Sequence, residues 1–194
     1  MDNAQLVQFL HNSQLVSLTG AQKIATHFKE KAIAKNEYFL ESGHICSHYL
    51  FLASGFLRAF AHDVEGNEVT TGFYSPNQMV FEVSSYFNRV TSKENIQALV
   101  DSKGWFITYE ELNTLFHAMP EFREFGRSVL VKGFTALKTR TLSMITETAE
   151  ERYANLLKTN PEIIRNAPLK TIASYLGITD TSLSRIRKEI GKKS

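Results

Sequence analysis

The sequence predicts an α+β protein with an N-terminal antiparallel β-roll (jelly roll), a long helix and a C-terminal helix-turn-helix domain. Three observations predict this order. Short runs rich in aromatic and β-branched residues, broken by glycines, extend from about residue 32 to 108. Apolar residues then recur every three or four positions up to residue 146. The last two dozen residues place alanine, glycine and leucine at the spacing of two short crossing helices.

The chain begins with helical periodicity. Apolar positions from residue 3 to about 31 recur at helical spacing and predict two or three short helices. The roll follows from Ala32. Within it, the segment from Asp63 to Asn67 predicts a hairpin turn, with Gly66 supplying the positive φ.

A long helix is predicted over about residues 112–146, with Pro120 as a first-turn residue. About 26 residues at about 1.5 Å each give nearly 40 Å of helix, which needs an apolar partner. A dimer seam is favoured over packing on the roll alone, since helix-turn-helix proteins bind two half-sites. The predicted seam residues are Phe122, Phe125, Val129, Phe134 and Leu137.

A domain joint is predicted near Glu147. Thr148 followed three residues later by Glu151 is a capping box, which predicts the start of a new helix. The predicted domains are a sensor, residues 1–147, which includes the long helix, and a helix-turn-helix domain, residues 148–194. Residues 148–194 carry a balance of +4 and residues 1–147 a balance of −2. This asymmetry is typical of a basic DNA-binding end attached to a near-neutral sensor.

The terminal segment contains the residues that a helix-turn-helix requires. Ala173 is small where the two helices touch, Gly177 allows a turn with positive φ, and Leu183 closes the small core. Thr179 stands at the N-cap position of the second helix. That second helix is therefore the candidate reader of double-stranded DNA.

One face of the second helix is predicted to enter the major groove. Arg185 is the predicted main base reader, because its guanidinium pairs with guanine O6 and N7. Asp180, Thr181 and Ser184 are predicted to assist it. A merely solvated charged terminus is the alternative, but the uncharged spacing of alanine, glycine and leucine is a separate signal. The predicted phosphate contacts are Lys170, Thr171, Thr179, Ser182, Arg187 and Lys188.

The cysteine count and the hydropathy of the chain limit which cofactors and which cell compartment we expect. One cysteine, Cys46, makes neither an internal disulfide nor a four-cysteine iron–sulfur site within one subunit. His44, Cys46 and His48 alternate, but an extended strand holds such side chains too far apart for one metal ion, so no metal is expected. Haem, which needs only one or two ligands, stays an alternative. With no basic leader or apolar span, we expect a cytoplasmic protein without a membrane partner.

Three short stretches are specific beyond the order of the elements. They are residues 49–55 with 57–58 in the roll, 151–153 at the start of the last domain, and 172–178 with 182–187 in the helix-turn-helix. With the order of the elements, they resemble the Crp/Fnr family of bacterial transcription regulators over nearly the whole chain. The resemblance implies a cyclic-nucleotide-binding-like roll, a homodimer on a palindromic promoter site, and contact with RNA polymerase.

The roll departs from the family pattern where a cyclic phosphate would bind. Family members that take cyclic nucleotides carry Gly-Glu followed by an Arg-Ser or Arg-Thr pair. Here Phe81 precedes Glu82, and Ser92 stands in the place of the arginine. Cyclic AMP is therefore not expected as the effector, and another small molecule or no effector are the alternatives. The candidate effector-pocket residues are Glu82, Arg89, Ser92 and Lys93.

Two other functions are alternatives to DNA binding for a chain with such a roll. An adaptor module on the same roll would bind a ligand or protein without DNA. A cupin-like metal enzyme would need a histidine pair with a nearby carboxylate and a second histidine-bearing strand. After His48 no carboxylate follows, and His62 is isolated. We therefore expect no enzyme.

Overall fold

The computed structural model describes residues 3–193 and confirms the predicted α+β architecture. Two short helices, α1 (Ala4–Asn12) and α2 (Leu18–Ala25), precede the sheet. The sheet begins at Lys29, slightly earlier than predicted. Its strands are β1 (Lys29–Ile33), β2 (Tyr38–Leu40), β3 (His48–His62), β4 (Glu68–Tyr74), β5 (Gln78–Val80) and β6 (Asn95–Thr108).

All strand pairs are antiparallel, in the order β1-β6-β3-β4, with β2 added to β6 and β5 added to β3. The predicted hairpin turn joins β3 to β4. There the Asp63 carboxylate accepts hydrogen bonds from the backbone N–H groups of Glu65 and Asn67, at 2.9 and 2.8 Å, and Gly66 has a φ of +84°. A short helix, α3 (Val83–Asn88), interrupts the chain between β5 and β6.

The single helix predicted over residues 112–146 is wrong, because two helices occupy this segment. They are α4 (Tyr109–Ala118) and α5 (Pro120–Thr146). Met119 between them is extended, with φ −128° and ψ 96°. Proline disfavours helical backbone at the preceding residue, so α4 ends there and Pro120 starts α5. The 27 residues of α5 agree with the predicted length of about 40 Å.

The start of α5 belongs to the core of the roll, which corrects two of the predicted seam residues. Phe122 and Phe125 are buried in that core. The Phe122 ring lies 5.1 Å from that of Phe116, and the Phe125 ring lies 5.8 Å from that of Phe9. Sequence spacing gave the correct apolar face, but the first turns of α5 pack that face on their own domain. Val129 packs partly against the same core.

Four helices follow α5. They are α6 (Ala149–Thr159), α7 (Pro161–Asn166), α8 (Leu169–Tyr175) and α9 (Asp180–Lys193). The helix break falls at Glu147, and the predicted capping box of Thr148 and Glu151 opens α6. A second core unites these helices, and Phe56 of β3 is buried in it. The last helices therefore pack directly on the roll.

Within residues 3–193, no helix has the length and apolar character needed to cross a membrane.

Candidate DNA-binding surface and ligand cavity

The turn between α8 and α9 has the geometry that the sequence predicts. Ala173 is buried between the helices, Leu183 is fully buried, and Gly177 has a φ of +69°. The backbone N–H of Ile178 donates to the carbonyl of Ala173 at 3.1 Å, which closes the end of α8. The left-handed backbone at Gly177 then turns the chain towards α9.

The start of α9 is capped as predicted. The Thr179 hydroxyl accepts a hydrogen bond from the backbone N–H of Ser182 at 3.2 Å, and the Thr179 carbonyl accepts one from Leu183 at 3.0 Å. The Asp180 carboxylate accepts from the backbone N–H of Thr181 at 2.9 Å. These bonds fix the first turn of α9, which is the part of a recognition helix that meets base edges.

The predicted base readers are accessible to different extents. Asp180, Thr181 and Arg185 are exposed, whereas Ser184 is half-buried. At about 100° per residue, Thr181, Ser184 and Arg185 share one side of α9, and the buried Leu183 points away from Arg185. The side of α9 opposite the small core therefore presents one guanidinium flanked by hydroxyl groups.

The predicted phosphate contacts are mostly on the surface. Lys170, Thr179, Arg187 and Lys188 are exposed, and Ser182 is half-buried. Thr171 is the exception, because it is only 8% exposed and packs within the helical domain. Among the described side chains, the charged groups of Arg185, Arg187 and Lys188 form no ion pair. They are thus free to contact an anionic partner.

Two arginines that the sequence analysis did not single out hold the end of α8. Arg152 donates to the Leu176 carbonyl at 2.9 Å, and Arg140 of α5 donates to the Tyr175 carbonyl at 3.0 Å. The Arg140 guanidinium also lies 4.5 Å from the centre of the Tyr175 ring. These contacts join residues 24 and 35 positions apart, so no local sequence pattern indicates them.

Further contacts attach α8 to the roll. The Ser174 hydroxyl accepts from the backbone N–H of Thr70 at 2.9 Å and donates to the Glu68 carbonyl at 3.2 Å. The rings of Phe73 and Tyr175 lie 5.1 Å apart. The helix that precedes the candidate reader is thereby tied to both β4 and α5.

A cavity of about 570 Å³ lies between β4, the segment after β5, and α5. Of the four predicted effector-pocket residues, only Glu82 lines it. The other walls are mainly apolar, and the structure adds two charged residues, Glu94, which directly follows Lys93, and Arg140 of α5. The lining residues that matter most are Phe81, Glu82, Glu94, Phe134, Leu137 and Arg140.

The Glu82 carboxylate caps α3. One oxygen accepts from the backbone N–H of Ser84 at 3.0 Å and the other from that of Ser85 at 2.6 Å. These N–H groups are the ones that an anion would use at this end of the helix. The Glu82 carboxylate therefore satisfies these N–H groups itself.

The remaining three candidates do not line the cavity, which corrects the prediction. Arg89 points elsewhere, donating to the Cys46 carbonyl at 3.0 Å with its guanidinium 4.3 Å from the centre of the Tyr109 ring. Ser92 is buried, and its hydroxyl bonds to the backbone of Glu94. Lys93 is exposed. The resemblance to members that bind cyclic nucleotides grouped these residues, whereas the structure directs Arg89 to Cys46, buries Ser92 and exposes Lys93.

Glu94 is the residue that brings unexpected charge to the cavity. Burial raises the pKa of its carboxyl group, and the nearby Glu82 carboxylate raises that pKa further. The Thr71 side chain and, to a smaller extent, the Arg140 guanidinium oppose this only in part. The ionised form of Glu94 is thus less favourable here than in water. An additional anion in the cavity would make it less favourable still.

The His44, Cys46 and His48 triplet is arranged differently from a single strand. Only His48 lies in β3, while Cys46 is buried before it and His44 is exposed. Burial raises the pKa of the Cys46 thiol. Among residues 3–193 no group of three or more His, Cys, Asp or Glu side chains is arranged to hold a metal ion.

Residues 30–118 match the cyclic nucleotide-binding domain family. No curated protein sequence matches the chain significantly. Solved structures with a similar fold include FixK2 from Bradyrhizobium japonicum, with a TM-score of 0.74, 16% identity, and coverage of 86% of this chain and 85% of that one. A putative Crp/Fnr regulator from Eubacterium rectale has a TM-score of 0.72 and 17% identity, with 95% and 87% covered.

A third similar structure is CLP from Xanthomonas campestris, described as a global regulator that responds to c-di-GMP. Its TM-score is 0.69 and its identity 15%, with 87% of this chain and 88% of that chain covered. These neighbours share one fold at low identity, and two of the three are described as regulators. The chain thus has the fold found in a structure described as a regulator of the Crp/Fnr family, and its residues 30–118 match the cyclic nucleotide-binding domain family.

Proposed function

We propose that this protein is a sequence-specific, DNA-binding transcription regulator of the Crp/Fnr type. The observation that carries the proposal is the α8–α9 unit. Its turn at Gly177 is left-handed, its core residue Leu183 is fully buried, and Arg185 is exposed on the free face of α9. This combination provides a recognition helix with a groove-facing guanidinium.

The proposed base readers are Asp180, Thr181, Ser184 and Arg185, with Arg185 as the main one. We propose that neighbouring side chains contact the DNA phosphates. Such contacts fix the position of the protein on the duplex but do not read its sequence. The proposed phosphate contacts are Lys170, Thr179, Ser182, Arg187 and Lys188.

The proposed assembly is a homodimer on a palindromic site. Beyond Val129, α5 exposes apolar side chains down one side, among them Phe134 at 69% and Leu137 at 58%. A contiguous apolar stripe of this kind is typical of an interface. A second copy of the same helix would cover it symmetrically. The other exposed apolar residues of the stripe are Leu130, Val131, Leu142, Met144 and Ile145.

We further propose that the dimer acts in the cytoplasm and contacts RNA polymerase.

The proposal includes independence from cyclic AMP. Glu82 keeps the place of the glutamate that cyclic-nucleotide-binding members carry, but Phe81 replaces their glycine, and the Ser92 hydroxyl is turned onto the backbone of Glu94. Glu94 adds a carboxylate to the cavity wall. An anionic cyclic phosphate would therefore meet this added carboxylate without the arginine that family members supply at the Ser92 position.

Duplex binding as a function of salt tests the proposal. In fluorescence anisotropy at low salt, the full-length protein is expected to bind mixed-sequence duplexes, with log affinity falling linearly in log salt. Lys188→Ala is expected to reduce the slope by about 0.9, the contribution of one phosphate contact in B-DNA. Lys158→Ala, an exposed lysine on α6, is the control and should leave the slope unchanged. No binding at low salt would contradict DNA-binding and favour an adaptor.

A further inference from the structure

The cavity beside α5 combines apolar walls with an excess of negative charge. Phe81 is buried at one wall, and Phe134 and Leu137 of α5 supply apolar surface at another, so this wall shares both residues with the proposed dimer stripe. Its charged lining residues are Glu82, Glu94 and Arg140, which together carry one net negative charge when all are ionised. Its volume of about 570 Å³ falls within the range of small-molecule sites.

Neither carboxylate forms an ion pair with a described side chain, and the Arg140 guanidinium offsets the charge of Glu94 only in part. Glu82 accepts from backbone N–H groups of α3, and no ion pair of Glu82, Glu94 or Arg140 occurs among the described side chains. Arg140 is engaged instead at the end of α8, through the Tyr175 carbonyl and ring. The charge that the cavity lacks is therefore positive.

We propose that this cavity binds an amphipathic amine, with its ammonium group facing the carboxylates of Glu82 and Glu94 and its apolar body against α5. A cation near Glu94 would offset the two carboxylates, and the phenylalanine and leucine side chains would exclude water from the apolar body. The inference deepens the proposed regulator and rests on it, because it names the class of effector that the sensor takes.

The choice of an amine over an anion follows from the same three charges. A carboxylate or phosphate ligand would find only Arg140 as a cation, and it would compete there with the Tyr175 carbonyl. An ammonium ion instead supplies three N–H donors to two acceptor groups. Charge-assisted hydrogen bonds of this kind are stronger than neutral ones.

Isothermal titration calorimetry with matched ligand pairs tests the proposal. The probes are tryptamine against indole-3-propionate, phenethylamine against 3-phenylpropionate, and cyclic AMP, titrated at pH 7 into the full-length protein. We expect at least one amine to bind about tenfold more tightly than its carboxylate counterpart, and cyclic AMP to bind more weakly than that amine.

Variants assign the preference to the cavity. Glu94→Gln is expected to weaken the binding amine about tenfold and to narrow its advantage over the matched carboxylate. Arg140→Gln is expected to widen that advantage, since it removes the only cation of the lining. Glu110→Gln, which removes an exposed carboxylate of α4 outside the cavity, is the matched control and should change neither affinity. Circular dichroism confirms that each variant is folded.

The proposal is overturned if no amine exceeds its carboxylate counterpart, if cyclic AMP binds as tightly as the amines, or if Glu94→Gln and Glu110→Gln act alike. The titration contains no DNA, so its outcome is separate from that of the duplex-binding assay. A protein that binds duplex DNA but shows no amine preference would refute the ligand class alone.

Discussion

Arg185 is the residue on which sequence reading is expected to depend. Its guanidinium is exposed on α9, and the capped first turn of that helix holds its position. Arg185→Ala removes one bidentate pair, which is worth about 1–3 kcal/mol of discrimination between bases. We expect the preference for one base to be lost at one position of each half-site. Competition binding with single-base variants of a bound duplex measures this loss. Lys158→Ala is the control, and a preference that survived Arg185→Ala would assign reading to other residues.

Glu94 predicts a pH-dependent stability. Burial raises the pKa of its carboxyl group in the folded protein above the value of the unfolded chain, so its ionisation destabilises the fold as pH rises through that range. Glu94→Gln is therefore expected to have a higher Tm than the wild type at pH 7 to 8. The difference should shrink towards pH 4, near the ordinary glutamate pKa of about 4.3. Thermal denaturation across this range measures it, with Glu110→Gln as the control.

A difference in Tm that grew on acidification would contradict this assignment of the Glu94 environment.

At the scale of elements, α5 serves two purposes along its length. Its first turns bury Phe122 and Phe125 in the roll, while its later turns expose Phe134 and Leu137. A helical wheel shows one continuous apolar face and does not reveal where that face leaves its own domain. This is why the sequence predicted the apolar spacing of α5 correctly but placed two core residues in the predicted dimer seam.

Phe134→Glu tests the exposed part of α5. It would bring two charges into an apolar interface, and we expect the dimer Kd to rise about a hundredfold, equivalent to about 3 kcal/mol. Sedimentation equilibrium measures the change. Thr139→Glu adds the same charge to the opposite side of the helix, outside the stripe, and is expected to leave the dimer intact. Equal effects of the two variants on the dimer Kd would contradict the proposal that the stripe is the dimer interface.

The helix-turn-helix was the part most open to sequence prediction, because its signals are local. The positive φ of Gly177, the cap at Thr179 and the buried Leu183 each follow from one residue type at one position. The charged lining of the cavity could not be predicted from the sequence in the same way. Glu94 lies directly before β6 and Arg140 lies on α5. Both line the cavity only because of tertiary packing, which sequence spacing does not indicate.

At the scale of the whole molecule, Arg140 links the cavity to the helices that we propose bind DNA. It lines the cavity and also holds the end of α8 through the Tyr175 carbonyl and ring. Arg140→Met keeps a long apolar side chain but removes both the hydrogen bond and the charge. We expect faster amide hydrogen exchange in residues 169–177, because that end of α8 loses a partner. Lys138→Met, a substitution of an exposed residue on the same helix, is the control.

Unchanged exchange in Arg140→Met would show that the remaining contacts of α8, among them those of Ser174, Tyr175 and Arg152, hold it without Arg140.

The central claim is that two copies of α9 read one palindromic site. Selection of bound duplexes from a random-sequence library by the full-length protein tests it most directly. The predicted result is an enriched inverted repeat with half-site centres about one helical turn of DNA, or a multiple of it, apart, containing a guanine that Arg185→Ala no longer selects. Selection that yields no enriched sequence at low salt would contradict the claim.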